Sequence, residues 1–207
     1  MIKTSALFGS LLLILVFAAG PLLAQKAEIH PYGGGIFPFA YRDNFDLKRQ
    51  GVVGVKGGVF FADRFELEGN LGYLNHFEFK NTDPRSRAFI WEVGPSVNFF
   101  SPHFSKTVPY LSLGVGGVTG FIGDPEDIGA RSAQSANIMP AGSPRMILSD
   151  GDTFFQFSYG GGVKGLRLWG PMGLRGEVRG RTMPNFFGNS LTWVETTGGV
   201  TFSWGER

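Results

Sequence analysis

The sequence predicts an all-β fold, a single eight-stranded antiparallel up-and-down transmembrane β-barrel behind a short export segment. Three observations carry this. After residue 24, apolar and polar residues alternate with period 2, the strand period, and no stretch carries a helical stripe. The connections between alternating segments are sorted by length. Charged residues make up only 17% of the 207-residue chain, against about 25% in an ordinary soluble domain, while 14% are aromatic and 32 residues are glycine.

The same composition removes several classes. The glycines follow no three-residue period, so collagen is excluded. Aromatic content with a net charge of only +2 is the wrong balance for intrinsic disorder. With no cysteine there is no disulfide framework, no acylated-cysteine anchor and no thiolate site. A charge of +2 spread over the chain is too weak a footprint for nucleic acid.

The elements follow in order. Lys3 supplies a basic start, Leu7 to Ala19 is apolar apart from Gly9 and Ser10, and Pro21-Leu22-Leu23-Ala24 leads into polar Gln25-Lys26. That is a secretory signal peptide over residues 1–24, cut after Ala24, with an apolar run shorter than the roughly 18 residues a spanning helix needs. Residues 25–207 form the barrel domain. Its candidate strands are Glu28–Phe37, Val52–Phe61, Arg64–Phe79, Ser86–Phe100, Val108–Phe121, Thr153–Leu166, Pro171–Pro184 and a final segment through Val194–Trp204. The clearest sets Arg64, Glu66, Glu68, Asn70 and Gly72 on one face and Phe65, Leu67, Gly69, Leu71 and Tyr73 on the other. Pro171–Pro184 repeats the pattern, with Arg175, Glu177, Arg179 and Arg181 against Leu174, Gly176, Val178 and Gly180.

Connections at Ala62–Asp63 and Arg167–Gly170 are short, Ser101–Thr107 and Asn185–Ser190 are medium, and Pro38–Gln50, Asn75–Arg85 and Gly123–Asp152 are long. With both termini in the periplasm, every longer connection except Ser101–Thr107 falls outside, the sorting expected of a bacterial outer-membrane barrel. A soluble β-sandwich alternates too but gains nothing from such sorting. On these features the chain resembles the small eight-stranded outer-membrane barrels of the OmpA/OmpX type. The closing strand Thr197-Gly198-Gly199-Val200-Thr201-Phe202-Ser203-Trp204 is part of the likeness, with Gly205-Glu206-Arg207 trailing as a departure. The resemblance implies recognition of that strand by the barrel assembly machinery, residence among outer-membrane lipid and lipopolysaccharide, and location in the outer membrane of a Gram-negative-type bacterium. It implies an architecture and no activity.

Charge on a lipid face costs about 2–4 kcal/mol near the midplane for Arg or Lys. The lumen is therefore expected to hold Lys56, Glu66, Glu68, Glu92, Lys164, Arg175, Glu177, Arg179, Arg181 and Glu195, five acids and five bases. Leu67, Leu71, Leu174, Val178, Val194 and Val200 are expected to face lipid. Glu66 and Glu68 are expected to reach toward Arg175, Arg179 to lie opposite Glu195, and Lys56 opposite or diagonal to Glu68. Gly54, Gly58, Gly72, Gly114, Gly116, Gly160 and Gly162 are expected to point inward and make room for these side chains, and Gly69, Gly117, Gly161, Gly176 and Gly180 outward. Aromatics are expected at both rims: Phe37, Phe39, Tyr41, Phe77 and Phe79 outside; Phe60, Phe61, Phe65, Phe99, Phe100, Phe104 and Trp169 inside.

Other motifs read as bland. Gly160-x-Gly162-x-x-Gly165 matches the dinucleotide string but lies inside a strand with no helix to hold a pyrophosphate, so no cofactor is expected. His30, His76 and His103 lie apart, so no metal is expected. His103-Phe104-Ser105 resembles the His-x-Ser pair of an outer-membrane lipid A deacylase, but sits on the periplasmic side without a carboxylate. The acids of Gly123–Asp152 do not follow EF-hand spacing; this loop reads as a solvated surface with a possible partner strand at its middle. The expected function is a non-enzymatic structural or surface-interaction barrel with a lumen plugged by charged side chains. A narrow porin-like channel, a lipid-modifying enzyme and a soluble secreted binding barrel stay open as alternatives.

Overall fold

The computed structural model describes residues 27–39, 47–77, 86–102, 104–121, 151–186 and 188–205. The segment 1–24, Tyr41, Phe79, His103 and residues 122–150 of the longest loop lie outside them. The chain forms β1 (Ala27–Pro38), β2 (Gln50–Ala62), β3 (Phe65–Phe77), β4 (Ser86–Asn98), β5 (Thr107–Phe121), β6 (Thr153–Trp169), β7 (Met172–Phe186) and β8 (Asn189–Trp204). Each strand pairs antiparallel with the next, and β8 returns to β1 to close the barrel. Connections at the end bearing the termini run 62–65, 98–107 and 169–172; those at the opposite end, the loop end, run 38–50, 77–86, 121–153 and 186–189.

The register fixes the size. Following partners around the ring from Ile29 leads through Gly57, Gly69, Val93, Val115, Phe157, Thr182 and Thr192. Thr192 accepts a backbone bond from Phe39, so the path returns ten residues up β1 from where it began. With about 3.3 Å per residue and about 4.8 Å between strands, that offset tilts the strands by roughly 41° and sets a backbone radius of about 8 Å. Side chains from opposite walls must meet at the axis. A 13-residue strand so tilted rises about 30 Å, enough to cross the roughly 25 Å apolar band of an outer membrane.

Alternation along each strand separates two environments. Leu67 (52% exposed), Leu71, Leu174 and Val178 (54%) point outward, while Glu66, Glu68, Arg175 and Arg179 between them are buried. Two rim residues depart from the expected girdle. Phe60, 7% exposed, shares the inward parity of Lys56 and Gly58 and lies inside the terminus end. Phe77, 3% exposed, is turned inward by the register shift between Leu74 and Phe77, which breaks the alternation. Phe37, Phe39, Phe61, Phe65, Phe99, Phe100, Phe104 and Trp169 are exposed.

Val178 lies at mid-height on β7. Val178→Arg should therefore lower stability in lipid vesicles by about 2–4 kcal/mol, read by urea unfolding. A change below about 0.5 kcal/mol would mean the position meets water and the register is shifted.

Candidate functional site

The lumen divides into three layers. At the terminus end the buried Phe60, Val108 and Leu166 make a partial floor beside Glu66 and Lys164, bordering a cleft that Glu28 and Arg167 also line. At the loop end Ile36, Val52, Leu74, Phe77, Ile90, Val118, Met183, Phe186, Leu191 and Trp193 form an apolar cap. Leu47, from the β1–β2 connection, is 1% exposed and tucks into that cap. Between floor and cap stand the charged side chains.

All ten charged residues singled out from the sequence lie in this middle layer, each buried. Glu28, 3% exposed, joins them as an eleventh, so among the described residues the layer holds six carboxylates and five cations rather than a balanced set. Nearest the floor, Lys164 Nζ binds Glu66 at 2.5 Å and Glu28 at 2.9 Å. Above it Arg175 bridges Glu68 at 2.6 Å and Glu177 at 2.9 Å, and Lys56 binds Glu177 at 2.6 Å. Arg179 reaches Glu177, Glu92 and Glu68, the last at 3.1 Å. Arg181 closes the ladder on Glu92 and, at 2.8 Å, on Glu195.

Neutral partners take up part of the remaining hydrogen-bond capacity, while Glu66 Oε1 and Gln156 Oε1 are buried without a hydrogen bond. Tyr110 donates its hydroxyl to Glu177 and accepts from Arg175 Nε at 2.8 Å. Glu92 also accepts from Ser158 at 2.8 Å, Gln156 at 3.3 Å and Asn70 at 3.3 Å. Rings lie under the cations: Tyr110 beneath Arg175 at 4.5 Å and Lys164 at 5.2 Å, Tyr32 beneath Lys56 at 5.2 Å, and Phe60 beneath Lys164 at 5.4 Å. A desolvated cation gains from such a ring face, which its apolar body can also pack against. Two glycine positions show how the column fits. A Cβ at Gly58 would lie 1.8 Å from a Glu66 carboxylate oxygen, and one at Gly54 would lie 2.5 Å from the Tyr32 hydroxyl.

The pairing differs in part from the sequence-level expectation. Glu68 does bind Arg175, but Glu66 goes to Lys164. Arg179 and Glu195 are register partners on β7 and β8, yet Glu195 takes Arg181 while the Arg179 guanidinium crosses the lumen. Lys56 sits diagonal to Glu68, whose partner on β2 is Gly58, and binds Glu177 instead. Glu28, Tyr32 and Tyr110 also line the lumen, beyond the residues the sequence singles out. Their inward parity, shared with His30 and Ser112, was the available signal.

The remaining motifs have plain positions. Gly160 and Gly162 face Arg179 and Glu177 across the β6–β7 register, inside a strand. His30 Nδ1 lies 3.0 Å from the Val200 carbonyl, which only accepts, so that nitrogen carries the proton. His76 lies at the loop end, far along the sequence from His30, and contacts Asn75. Among the described residues no three His, Cys, Asp or Glu side chains could hold a metal ion.

A closed eight-stranded barrel with an apolar outer face and a packed polar interior has the architecture of small outer-membrane barrels. The family model of the outer membrane protein beta-barrel domain matches residues 9–201. The chain belongs to that family. Membership places it in the outer membrane. Among solved structures it is similar to the outer membrane protein OprG from Pseudomonas aeruginosa, with TM-score 0.57 and 15% identity over 89% of this chain and 98% of that one. It is also similar to neisserial surface protein A, with TM-score 0.53 and 9% identity over 86% and 96% of the two chains. Outer membrane protein AlkL, determined in lipid bilayers, gives 0.51 and 10% over 88% and 92%. Identities this low show a shared fold alone. No curated protein sequence matches the chain.

Proposed function

We propose that this protein is a closed, non-enzymatic barrel that acts as a structural and surface-interaction element of the outer membrane. One observation carries the reading: ion-pair ladder and apolar cap lie in series along one lumen. A wall radius of about 8 Å leaves no cross-section beyond what these side chains fill. A ladder alone can exchange partners and admit water. A cap of Trp193, Ile36, Leu47 and their neighbours offers a permeating ion nothing with which to replace its hydration shell.

In this reading a signal peptide over residues 1–24 directs export, the termini face the periplasm, and the loop end faces outward. Contact with partners then belongs to the outer connections, above all residues 123–152, and insertion to the β8 strand read by the assembly machinery. Lipopolysaccharide surrounds the outer half of the apolar band.

Planar-bilayer recording of the refolded barrel tests this. The parent is expected to be silent. Arg179→Ala and Glu195→Ala are each expected to be silent as well, because both leave the cap in place. Steady open-channel steps in the parent would overturn the closed lumen. Steps in either single variant would assign the seal to the ladder alone and leave the cap without a role.

A further inference from the structure

Among the described residues, the rim at the terminus end is lopsided. Where β3, β4, β5 and β6 begin or end, Arg64 and Lys106 are exposed and Arg167 is half-buried. Backbone bonds gather them on one arc. Asn98 N–H donates to the Arg64 carbonyl at 2.8 Å, and Leu166 N–H donates to the Lys106 carbonyl at 2.7 Å. Arg167 also donates to the Pro102 carbonyl in the β4–β5 turn. It holds φ at 52°, a conformation non-glycine residues seldom adopt, and this directs its guanidinium to that turn. Among the described residues Asp63 is the one exposed acid on the arc, and Arg167 also lines a cleft with buried Glu28. On the opposite arc, from β7 through β8 to β1, no described charged side chain is exposed.

The cationic arc is also the more aromatic one. Phe65, Phe99 and Phe100 are about half exposed, Trp169 is 63% exposed and Phe104 is 93% exposed. Phe104 rides the tip of a turn held by bonds from its own N–H and that of Ser105 to the Ser101 carbonyl, at 3.1 and 3.2 Å. Rings of this kind belong at the level where acyl chains give way to headgroups. A cation beside them meets the phosphate of the same lipid.

We propose that this arc binds an anionic glycerophospholipid of the leaflet that meets the terminus end. The phosphate lies between Lys106 and Arg167, and the acyl chains run along Leu111 and Val163, outward residues of β5 and β6 that are 56% and 46% exposed. Charge complementarity selects this occupant: among the described residues, three cations against one exposed acid on a rim already at headgroup depth favour an anionic headgroup over a zwitterionic one. In the outer membrane, with the termini inward, this is the periplasmic leaflet. The proposal does not depend on whether the lumen conducts.

Native mass spectrometry of the full barrel, refolded in neutral detergent with equal phosphatidylglycerol and phosphatidylcholine of matched acyl chains, tests it. Heat-modifiable migration confirms that each variant is folded. The parent should retain phosphatidylglycerol preferentially, and Lys106→Gln should lower that retention about fivefold, the ratio that about 1 kcal/mol per basic residue at an anionic surface amounts to. Arg167→Gln should do the same; if it fails to fold, Arg64→Gln takes its place with a smaller drop. Arg49→Gln, at the loop end, should change nothing. Equal retention of the two lipids by the parent would overturn the proposal, as would a Lys106→Gln variant that keeps phosphatidylglycerol like the parent. Capture of an acidic protein without lipid preference would overturn it too. A conducting barrel with an intact lipid preference would sink only the closed-lumen reading.

Discussion

Glu177→Ala should lower the unfolding free energy of the vesicle-embedded barrel by at least about 3–5 kcal/mol, the largest loss expected from any single charge removal here. Glu177 takes Lys56 at 2.6 Å, Arg175 at 2.9 Å, Arg179 and the Tyr110 hydroxyl. Arg175 and Arg179 keep Glu68, at 2.6 and 3.1 Å, after the change. Lys56 keeps a ring face but loses its only ion pair among the described residues, at 1% exposure. The cost is thus mainly that of one buried ammonium left without a carboxylate. Adding Lys56→Met to Glu177→Ala should recover a substantial part of it, since replacing both members of a buried pair by apolar groups is often close to neutral. Equilibrium urea unfolding of parent, both single variants and the double variant measures the coupling. A loss under about 1 kcal/mol is what a solvated pair would give, and would mean that water fills the middle of the lumen.

That experiment turns on a distinction the sequence could only half make. Alternation alone sends Glu66, Glu68, Arg175 and Arg179 inward, because a strand has two faces and lipid rejects charge. Which carboxylate meets which cation depends on relative height around the ring, and height follows from the ten-residue offset on closure. No local pattern encodes that offset. It brings Lys164 on β6 level with Glu28 on β1 and Glu66 on β3, whereas Arg181 meets Glu195 on the diagonal of a single hairpin, β7–β8. Hairpin neighbours were legible at the backbone: Arg179 and Glu195 are register partners. Long guanidinium stems then ignore the backbone partner and cross the barrel.

Two further differences have local causes. Phe60 stands near a strand end, which suggests the rim, but its parity with Lys56 and Gly58 points inward. Phe77 had no such signal, because the irregularity after Leu74 reverses the parity that the strand had kept. The apolar cap was hidden by a different effect. Toward the loop end both faces of several strands turn apolar, as at Ile36 beside Phe37 and Ile90 beside Phe89 and Trp91. Hydropathy then no longer separates lumen from lipid, and only the closed ring shows that one set of these side chains is enclosed.

The cap supplies the second large effect. Trp193→Ala should cost about 3–5 kcal/mol, the range for removing a large aromatic from a packed core. Trp193 is fully buried, stands beside Arg181 across the β7–β8 register and beside Pro38 across β8–β1, and packs in one cluster with Ile36 and Leu191. The strands that hold these neighbours are fixed by the ring, so the site cannot collapse, and the cavity persists. Trp91 is the internal control. It is 40% exposed on the lipid face, covering Gly117 and donating to Thr119 at 3.2 Å. Acyl chains refill the volume it vacates, so Trp91→Ala should cost clearly less in the same urea titration. Conductance separates packing from sealing: Trp193→Ala alone should stay silent behind Arg181 and Glu195, whereas Trp193→Ala with Glu195→Ala opens cap and ladder at adjacent heights. Equal stability losses at positions 91 and 193 would put Trp193 in contact with lipid and remove the cap from the closed-lumen argument.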